Sequence, residues 1–255
     1  MSNYERRQFL INKLHKHDSL RVSEMARILN VSESTIRNDL KTLEKNGQIR
    51  RVHGGAILLE PAYVNHYSFK TRYVQHLDEK RAIAMKAAEF VHDGDSILLD
   101  ASSTAYCLAS ELHDRNALRI VTNGFEVAQE MAKNLSNNVI LLGGVVNYNA
   151  SSVTGLLSEN IIEELFVQKA FISSSGFTLD RGMTELHLNE AQLKRKMIKS
   201  AQQLFAIIDS SKFGKEDLTP IAPAEDIDQL ITDEMISKEW IKQLELAGVQ
   251  AIICD

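Results

Sequence analysis

Val31-Ser32-Glu33-Ser34-Thr35-Ile36-Arg37-Asn38-Asp39-Leu40 opens with a residue suited to an N-cap and continues with helical spacing. Ser32 stands at the cap. Ile36, Leu40 and Leu43 recur at i, i+4 and i+7, so they form one inward stripe. At 100° per residue, Ser34, Asn38, Lys41 and Lys45 fall opposite that stripe, with Arg37 on its flank. Gly47 is a natural C′ residue to end the helix.

Before it, residues 4–17 carry Phe9, Leu10 and Leu14 among charged neighbours, which predicts a short amphipathic helix. Leu20 and Val22 predict a brief extended stretch. Ser23 is the expected cap of a second helix carrying Met25, Ala26, Ile28 and Leu29. After Gly47, residues 48–52 read as a strand, His53-Gly54-Gly55 as a turn and residues 56–59 as a return strand. Two short helices joined by a tight turn and followed by a basic hairpin describe a winged helix-turn-helix. The candidate DNA contacts are Ser23, Ser32, Ser34, Thr35, Arg37, Asn38 and Lys41 on the helices, and Arg50, Arg51, His53 and Gly54 on the wing. The alternative is a solvated face of a three-helix bundle.

The whole chain has 255 residues and a net charge of −5, which alone argues against nucleic acid. The charge is unevenly placed. Residues 1–60 hold 11 Lys/Arg and 7 Asp/Glu, whereas residues 61–255 hold 18 and 27. The 44% hydrophobic and 25% charged composition is that of an ordinary globular protein. No apolar run approaches the ~18 residues of a membrane span, and no secretory signal is visible, so a cytoplasmic protein without a membrane partner is expected. Cys107 and Cys254 exclude a disulfide framework and suit two buried small hydrophobes.

Residues 60–77 read as a linker, too rich in aromatics (Tyr63, Tyr67, Phe69, Tyr73) for a free tether. From Asp78 to residue 255 predicted strands and helices alternate, which implies an α/β domain with a largely parallel sheet. A long helix is predicted over 185–203.

In such sheets ligands bind beyond the carboxyl ends of the strands. The first strand leads into Asp100-Ala101-Ser102-Ser103-Thr104 and a helix start, where hydroxyls and free N–H groups form a phosphate cradle or simply cap the helix. Other strand ends carry Thr122-Asn123-Gly124, Gly143-Gly144, Ser173-Ser174-Ser175-Gly176 and Asp209-Ser210-Ser211-Lys212-Phe213-Gly214. Hydroxyls, glycines, an Asn and a Lys suit a polyhydroxylated, phosphorylated small molecule.

The segment from Val31 to Leu40, with Leu43, Gly47, Arg51 and His53-Gly54-Gly55-Ala56, resembles the DeoR family of bacterial transcription regulators, whose members read VSxxTIRRDLxxLxxxGxxxRxHGGA here. Asn38 departs from a common second Arg. Asn pairs with adenine and Arg with guanine, so the departure bears on the operator sequence. Asp39 reads as structural. Residues 78–255 resemble the family's sensor domain through the strand-end motifs above and through Asn189-Glu190-Ala191 with Lys194. That resemblance implies a fold akin to ribose-5-phosphate isomerase, a phosphorylated sugar or related metabolite as effector, and a homo-oligomer, dimer or tetramer. The implied effector residues are Asp100, Ser102, Ser103, Thr104, Thr122, Asn123, Gly143, Gly144, Ser174, Gly176, Glu190, Lys194 and Lys212. Ser102 and Ser173 stand where the family usually has Gly, and their Cβ atoms narrow the pocket.

An isomerase of that fold uses an Asp in a DGAD-type segment, where this chain has Ser173-Ser174-Ser175-Gly176. Asp100, Glu190 and Asp209 remain as bases, so a sugar-phosphate isomerase carried on a DNA-binding module is the alternative. The eight His residues form no ligand-like cluster, and neither metal nor cofactor is predicted. The expectation is a repressor of a carbohydrate operon, binding double-stranded operator DNA through residues 1–59.

Overall fold

The computed structural model describes residues 6, 7, 9–11, 13, 14, 19–45, 49–52, 54–58 and 68–254. The chain divides into two compact units, residues 1–66 and 67–255.

In the first unit, residues 6–14 are helical wherever described (α1). There follow β1 (Ser19–Arg21), α2 (Val22–Leu29), α3 (Glu33–Lys45), β2 (Ile49–Val52) and β3 (Gly55–Leu58). The strands form an antiparallel sheet in the order β1-β3-β2. Leu10, Leu14, Met25, Ile36, Leu40, Leu43 and Ile49 make one buried core. Ser32 caps α3, its Oγ accepting the Thr35 amide at 3.2 Å. Ser23 does not cap α2. That helix starts at Val22, with Arg21 at the cap position and no side-chain cap bond. The Val22 amide instead donates to the Gly54 carbonyl at 2.9 Å, so the wing's turn serves the helix start. Both wing glycines are demanded by backbone. Gly54 has φ +80°, and a Cβ on Gly55 would lie 2.0 Å from the Leu20 carbonyl oxygen. Gly47 and His53 lie outside the described residues.

Asp39 is structural, as its sequence context predicts. It is buried, and its carboxylate takes Arg6 Nε at 2.5 Å and Arg7 Nε at 3.0 Å, tying α3 to α1.

The second unit runs α4 (Phe69–Val74), α5 (Leu77–Ala88), β4 (Ser96–Leu99), α6 (Ser103–Glu111), β5 (Arg119–Thr122), α7 (Phe125–Met131), β6 (Asn138–Leu141), β7 (Val145–Asn147), β8 (Ser152–Thr154), α8 (Leu156–Glu163), β9 (Val167–Ile172), β10 (Gly176–Thr178), β11 (Gly182–Glu185), α9 (Leu188–Lys199), β12 (Ala201–Ile207), β13 (Thr219–Ala222), β14 (Gln229–Asp233), α10 (Lys238–Leu246) and β15 (Ala251–Cys254). Seven strands form a sheet in the order β15-β14-β12-β9-β4-β5-β6, every neighbouring pair parallel. Strand residues alternate between two cores. Ile97, Leu99, Ile120, Phe171, Phe205 and Ile207 meet α5, α6 and α7 on one face. Leu98, Val121, Ala170, Ile172 and Ala206 meet α8 and α9 on the other. Right-handed crossovers require this division, because the chain first runs outward through β5 and β6 and then returns across β4 to β9. The order therefore reverses between β4 and β9.

Three expectations about elements need correction. Residues 68–77, read as linker, fold into the second unit, where Phe69 and Tyr73 pack edge-on against Tyr106 with ring centroids 5.6 and 5.4 Å away. The helix over 185–203 is shorter. Glu185 ends β11, and Ala201–Gln203 pair with β9 despite helix-favouring composition, because sheet pairing overrides local propensity. The short strands β7, β8, β10, β11 and β13 give too little alternation to be read from sequence.

Replacing Asp39 with Ala takes the shared carboxylate away from Arg6, which is buried, and Arg7, which is a third exposed. The first unit should lose about 3 kcal/mol, read as lost hydrogen-exchange protection of the α3 amides. Undiminished protection would show that the ion pair does not hold α1 to α3.

Candidate functional site

The outward face of α3 is as the 100° wheel requires. Ser34, Arg37, Asn38 and Lys41 are exposed, as are Ser23, Ser32, Arg50, Arg51 and Gly54, and Thr35 is half-buried. Ser32 Oγ sits 2.7 Å from Ser34 Oγ and 2.8 Å from Thr35 Oγ1, so the helix start presents a run of hydroxyls. Arg37 pairs with Glu33 at 2.5 Å, and Arg51 with Glu44 at 2.7 Å. Exposed pairs of this kind are worth only ~0.2–1 kcal/mol, so both guanidiniums are easily redirected to phosphate or a base edge. The Arg51 backbone amide and side chain hold the Glu44 carboxyl below its usual range.

In the second unit, the order reversal between β4 and β9 marks the place where open α/β sheets bind ligands, beyond the strands' carboxyl ends. Asp100 follows β4 and is fully buried. It accepts the Ser102 amide at 3.1 Å and the Ser173 amide at 3.1 Å, stitching β4 to β9. Lys194, from α9, lies 3.1 Å from Asp100 and 2.7 Å from Glu185, and donates to the Ser173 carbonyl at 2.9 Å. The Glu185 and Ser173 contacts are hydrogen bonds, and Asp100 adds a close ion-pair contact. Burial disfavours the Lys194 charge, but Glu185 and Asp100 outweigh it and raise the group above the ordinary lysine value. Burial likewise works to raise Glu185, yet Lys194 holds it below the usual carboxylate range.

Glu190 forms a second cluster. It accepts Ser152 Oγ at 2.5 Å and Asn123 Nδ2 at 3.4 Å, and burial raises its carboxyl. Glu190 does not pair with Lys194, although i, i+4 spacing allows it. An open cleft of about 440 Å³ lies between the β7–β8 hairpin and the start of α9, with Glu190 in its wall. The other predicted residues divide by role. Ser102 caps α6, accepting the Ala105 amide at 3.0 Å. Ser103 donates to the Arg72 carbonyl, Thr104 is buried, and Thr122 accepts the Gly124 amide. Ser174 donates to the Gly176 carbonyl. Cβ atoms on Gly144 and Gly176 would strike the Thr154 and Lys215 carbonyls at 2.4 and 2.5 Å, so these glycines allow close chain packing. Gly143 is exposed, and its carbonyl accepts Ser158 Oγ. Lys212 is half-buried on a 3₁₀ turn.

Sequence reasoning missed Arg72, Lys80, Ser152 and Glu185. Lys80 is buried and donates to the Arg72 and Gln75 carbonyls, the exposed end of α4. Its signal was available: Lys80 precedes Ile83, Ala84 and Ala87 at i+3, i+4 and i+7, a lysine in an apolar stripe. Several polar atoms here have no partner among the described residues, namely Arg72 Nε, Asn123 Oδ1, Asp209 Oδ2 and Thr232 Oγ1. No group of three or more metal-ligating side chains occurs among the described residues.

The family description "DeoR-like helix-turn-helix domain" matches residues 6–62, and "DeoR C terminal sensor domain" matches residues 75–234. The chain belongs to the DeoR family. It is a DNA-binding transcriptional regulator, and that assignment displaces the isomerase alternative. The HTH-type transcriptional regulator GolR of Listeria innocua is 41% identical over 257 residues, covering 100% of both chains. The lactose phosphotransferase system repressor of Streptococcus mutans is 33% identical over 235 residues, 91% of this chain and 93% of that one. Ribose 5-phosphate isomerase A of Methanocaldococcus jannaschii overlays 55% of each chain with a TM-score of 0.40 at 18% identity.

Burial lowers the Lys80 pKa to about 8, with Asp209 opposing and Lys212 adding to the shift. Between pH 8 and the ordinary lysine value of ~10.4 the unfolded chain binds the extra proton, so this group makes stability rise with pH. Thermal unfolding at pH 7.5 and 9.5 should show wild type gaining relative to Lys80→Met, and parallel responses would contradict it.

Proposed function

We propose that the protein is a cytoplasmic repressor of a carbohydrate operon, and that a phosphorylated sugar or related metabolite bound in the second unit controls its grip on operator DNA. The observation that carries this reading is the buried polar network at the sheet's order reversal, with Asn123 Oδ1 and Asp209 Oδ2 left without partners. Unmatched buried acceptors cost ~1–3 kcal/mol each, and a polyhydroxylated ligand supplies the missing hydroxyls. Lys212, the α6 start at Ser102-Ser103-Thr104, and the Thr122, Asn123, Gly143, Ser174 and Glu190 surroundings are the proposed effector residues. Asp100 and Lys194 act by holding the strand ends. The Lactose phosphotransferase system repressor at 33% identity supports a sugar-linked operon. Buried Cys107 and Cys254, outside any disulfide among the described residues, support a reducing compartment, and no helix among the described residues is long and apolar enough to cross a membrane. On DNA, α3 reads the major groove through Ser34, Arg37, Asn38 and Lys41, while Arg50, Arg51 and His53 take phosphates or the minor groove.

A single winged helix buries too little surface for specific affinity, so the working form is a homo-oligomer. Val145, Val146 and Tyr148 on the β7–β8 hairpin and Leu156, Leu157 and Ile161 on α8 are exposed apolar residues that suit a second copy of the chain. Sedimentation velocity should give a dimer or larger for wild type and a smaller species for Val145→Asp/Leu157→Asp. A monomeric wild type would remove this part of the reading.

The central test is a thermal-shift screen against sugar phosphates, in which a ligand at ~100 times its dissociation constant stabilises the fold by ~2.7 kcal/mol. Two variants should then separate the functions in gel shifts on DNA selected by the wild type. Arg37→Ala weakens DNA binding by ~1–3 kcal/mol with effector binding kept. Lys212→Ala binds DNA normally and loses the effector response. Absence of any stabilising sugar phosphate sinks the sensor reading.

A further inference from the structure

We propose that Arg72, on α4, supplies a direct contact to the effector's anionic group through its free Nε–H, and so helps decide which effectors bind. The inference rests on the effector reading above and names a residue that the strand-end motifs do not contain. α4 lies outside those motifs, three residues after the boundary between the two compact units at His66.

Four observations place this side chain. The Arg72 backbone is fixed at the strand ends, because its carbonyl accepts both Lys80 Nζ and Ser103 Oγ, the latter at the start of α6. Its guanidinium is oriented. Nη2 donates to the Ala150 carbonyl in the β7–β8 turn at 3.0 Å, and the central carbon lies 5.9 Å from the Phe69 ring centroid. The same turn is bonded to α4 a second time, Phe69 N donating to the Asn149 carbonyl at 2.7 Å, and Asn149 lines the cleft. Finally, Nε is buried with no acceptor, and Arg72 makes no ion pair among the described residues.

A strap role alone explains Nη2 and the backbone bonds. It leaves Nε unexplained. A guanidinium presents its donors as a planar fork suited to phosphate or carboxylate, and a buried donor without an acceptor is costly. Arg72 is also close enough to Glu185 and Glu190 for its charge to favour both carboxylates. Glu190 stands in the cleft wall, where Ser152 and Asn123 donate to its carboxylate. Lys194 is already engaged by Glu185, Asp100 and the Ser173 carbonyl. Arg72, bonded to the turn that lines this cleft, has a donor to spare.

The experiment is a two-by-two calorimetric comparison on the full chain. Ribose 5-phosphate, fructose 6-phosphate, glucose 6-phosphate and galactose 6-phosphate, each with its unphosphorylated sugar, are titrated into wild type and Arg72→Ala. Expected is at least a tenfold rise in Kd for the sugar phosphate that wild type binds, with no change for the matching free sugar. Arg72→Gln, which keeps a donor for Ala150 but loses Nε and the charge, should show the same phosphate-dependent loss and covers the case of an unfolded Ala variant. An unchanged Kd for the sugar phosphate overturns the role of Arg72 while the sensor reading stands. An equal loss for phosphate and free sugar makes Arg72 a scaffold residue and likewise overturns it. If wild type binds none of these compounds, the sensor reading and the inference fall together.

Discussion

The second unit depends on one buried ammonium. Lys194 sits where an unpaired charge would be very costly, and it is tolerated because Asp100 and Glu185 pair with it and the Ser173 carbonyl accepts from it. Those partners come from the ends of β4, β11 and β9, and the lysine itself from α9. Removing either carboxylate leaves the buried ammonium with one counter-ion in place of two. The elements that must converge for a ligand crevice to exist are thus the ones this ion cluster forces together. Hydrophobic burial builds the three layers, but it is indifferent to how strand ends meet; the charged cluster is not.

The same bookkeeping resolves the acidity of the second unit. Asp100, Glu185, Asp209 and Asp233 are buried or nearly so at the strand ends, and Glu190 is buried in the first turn of α9. Much of their demand is met by backbone amides: Asp100 takes Ser102 and Ser173, Asp209 takes Ser211, and Asp233 takes Ser210 and Met235. These carboxylates shape turns after strands. A surplus of acidic residues in composition is consequently compatible with a site that welcomes an anion, because several of the negative charges are spent on the protein's own loops.

Much of this was legible in residue order. The cap at Ser32, the stripe of Ile36, Leu40 and Leu43 and the paired glycines of the wing are local signals, and local signals survive folding. The parallel strands were readable as apolar runs flanked by helices. What escaped was set by tertiary partners. Ser23 lost its expected capping role because the Gly54 carbonyl, distant in sequence, received the helix start. Ala201–Gln203 became strand because β9 lay alongside. Ser152 and Glu185 entered the polar clusters from three- and four-residue strands with no periodicity to show them. Arg72 carries no sequence signal, whereas Lys80 does, as a lysine in the apolar stripe of Ile83, Ala84 and Ala87.

Lys80 has a consequence for where the second unit can be cut. A six-residue helix such as α4 has no stability alone, and Lys80 has no acceptors inside α5 to replace the carbonyls of Arg72 and Gln75. A fragment beginning at Asp78, where strand and helix alternation starts, would leave an ammonium facing an apolar wall with those two acceptors gone. The autonomous folding unit therefore begins upstream of its first recognisable motif, and the segment that looks dispensable in sequence is a prosthesis the core cannot do without.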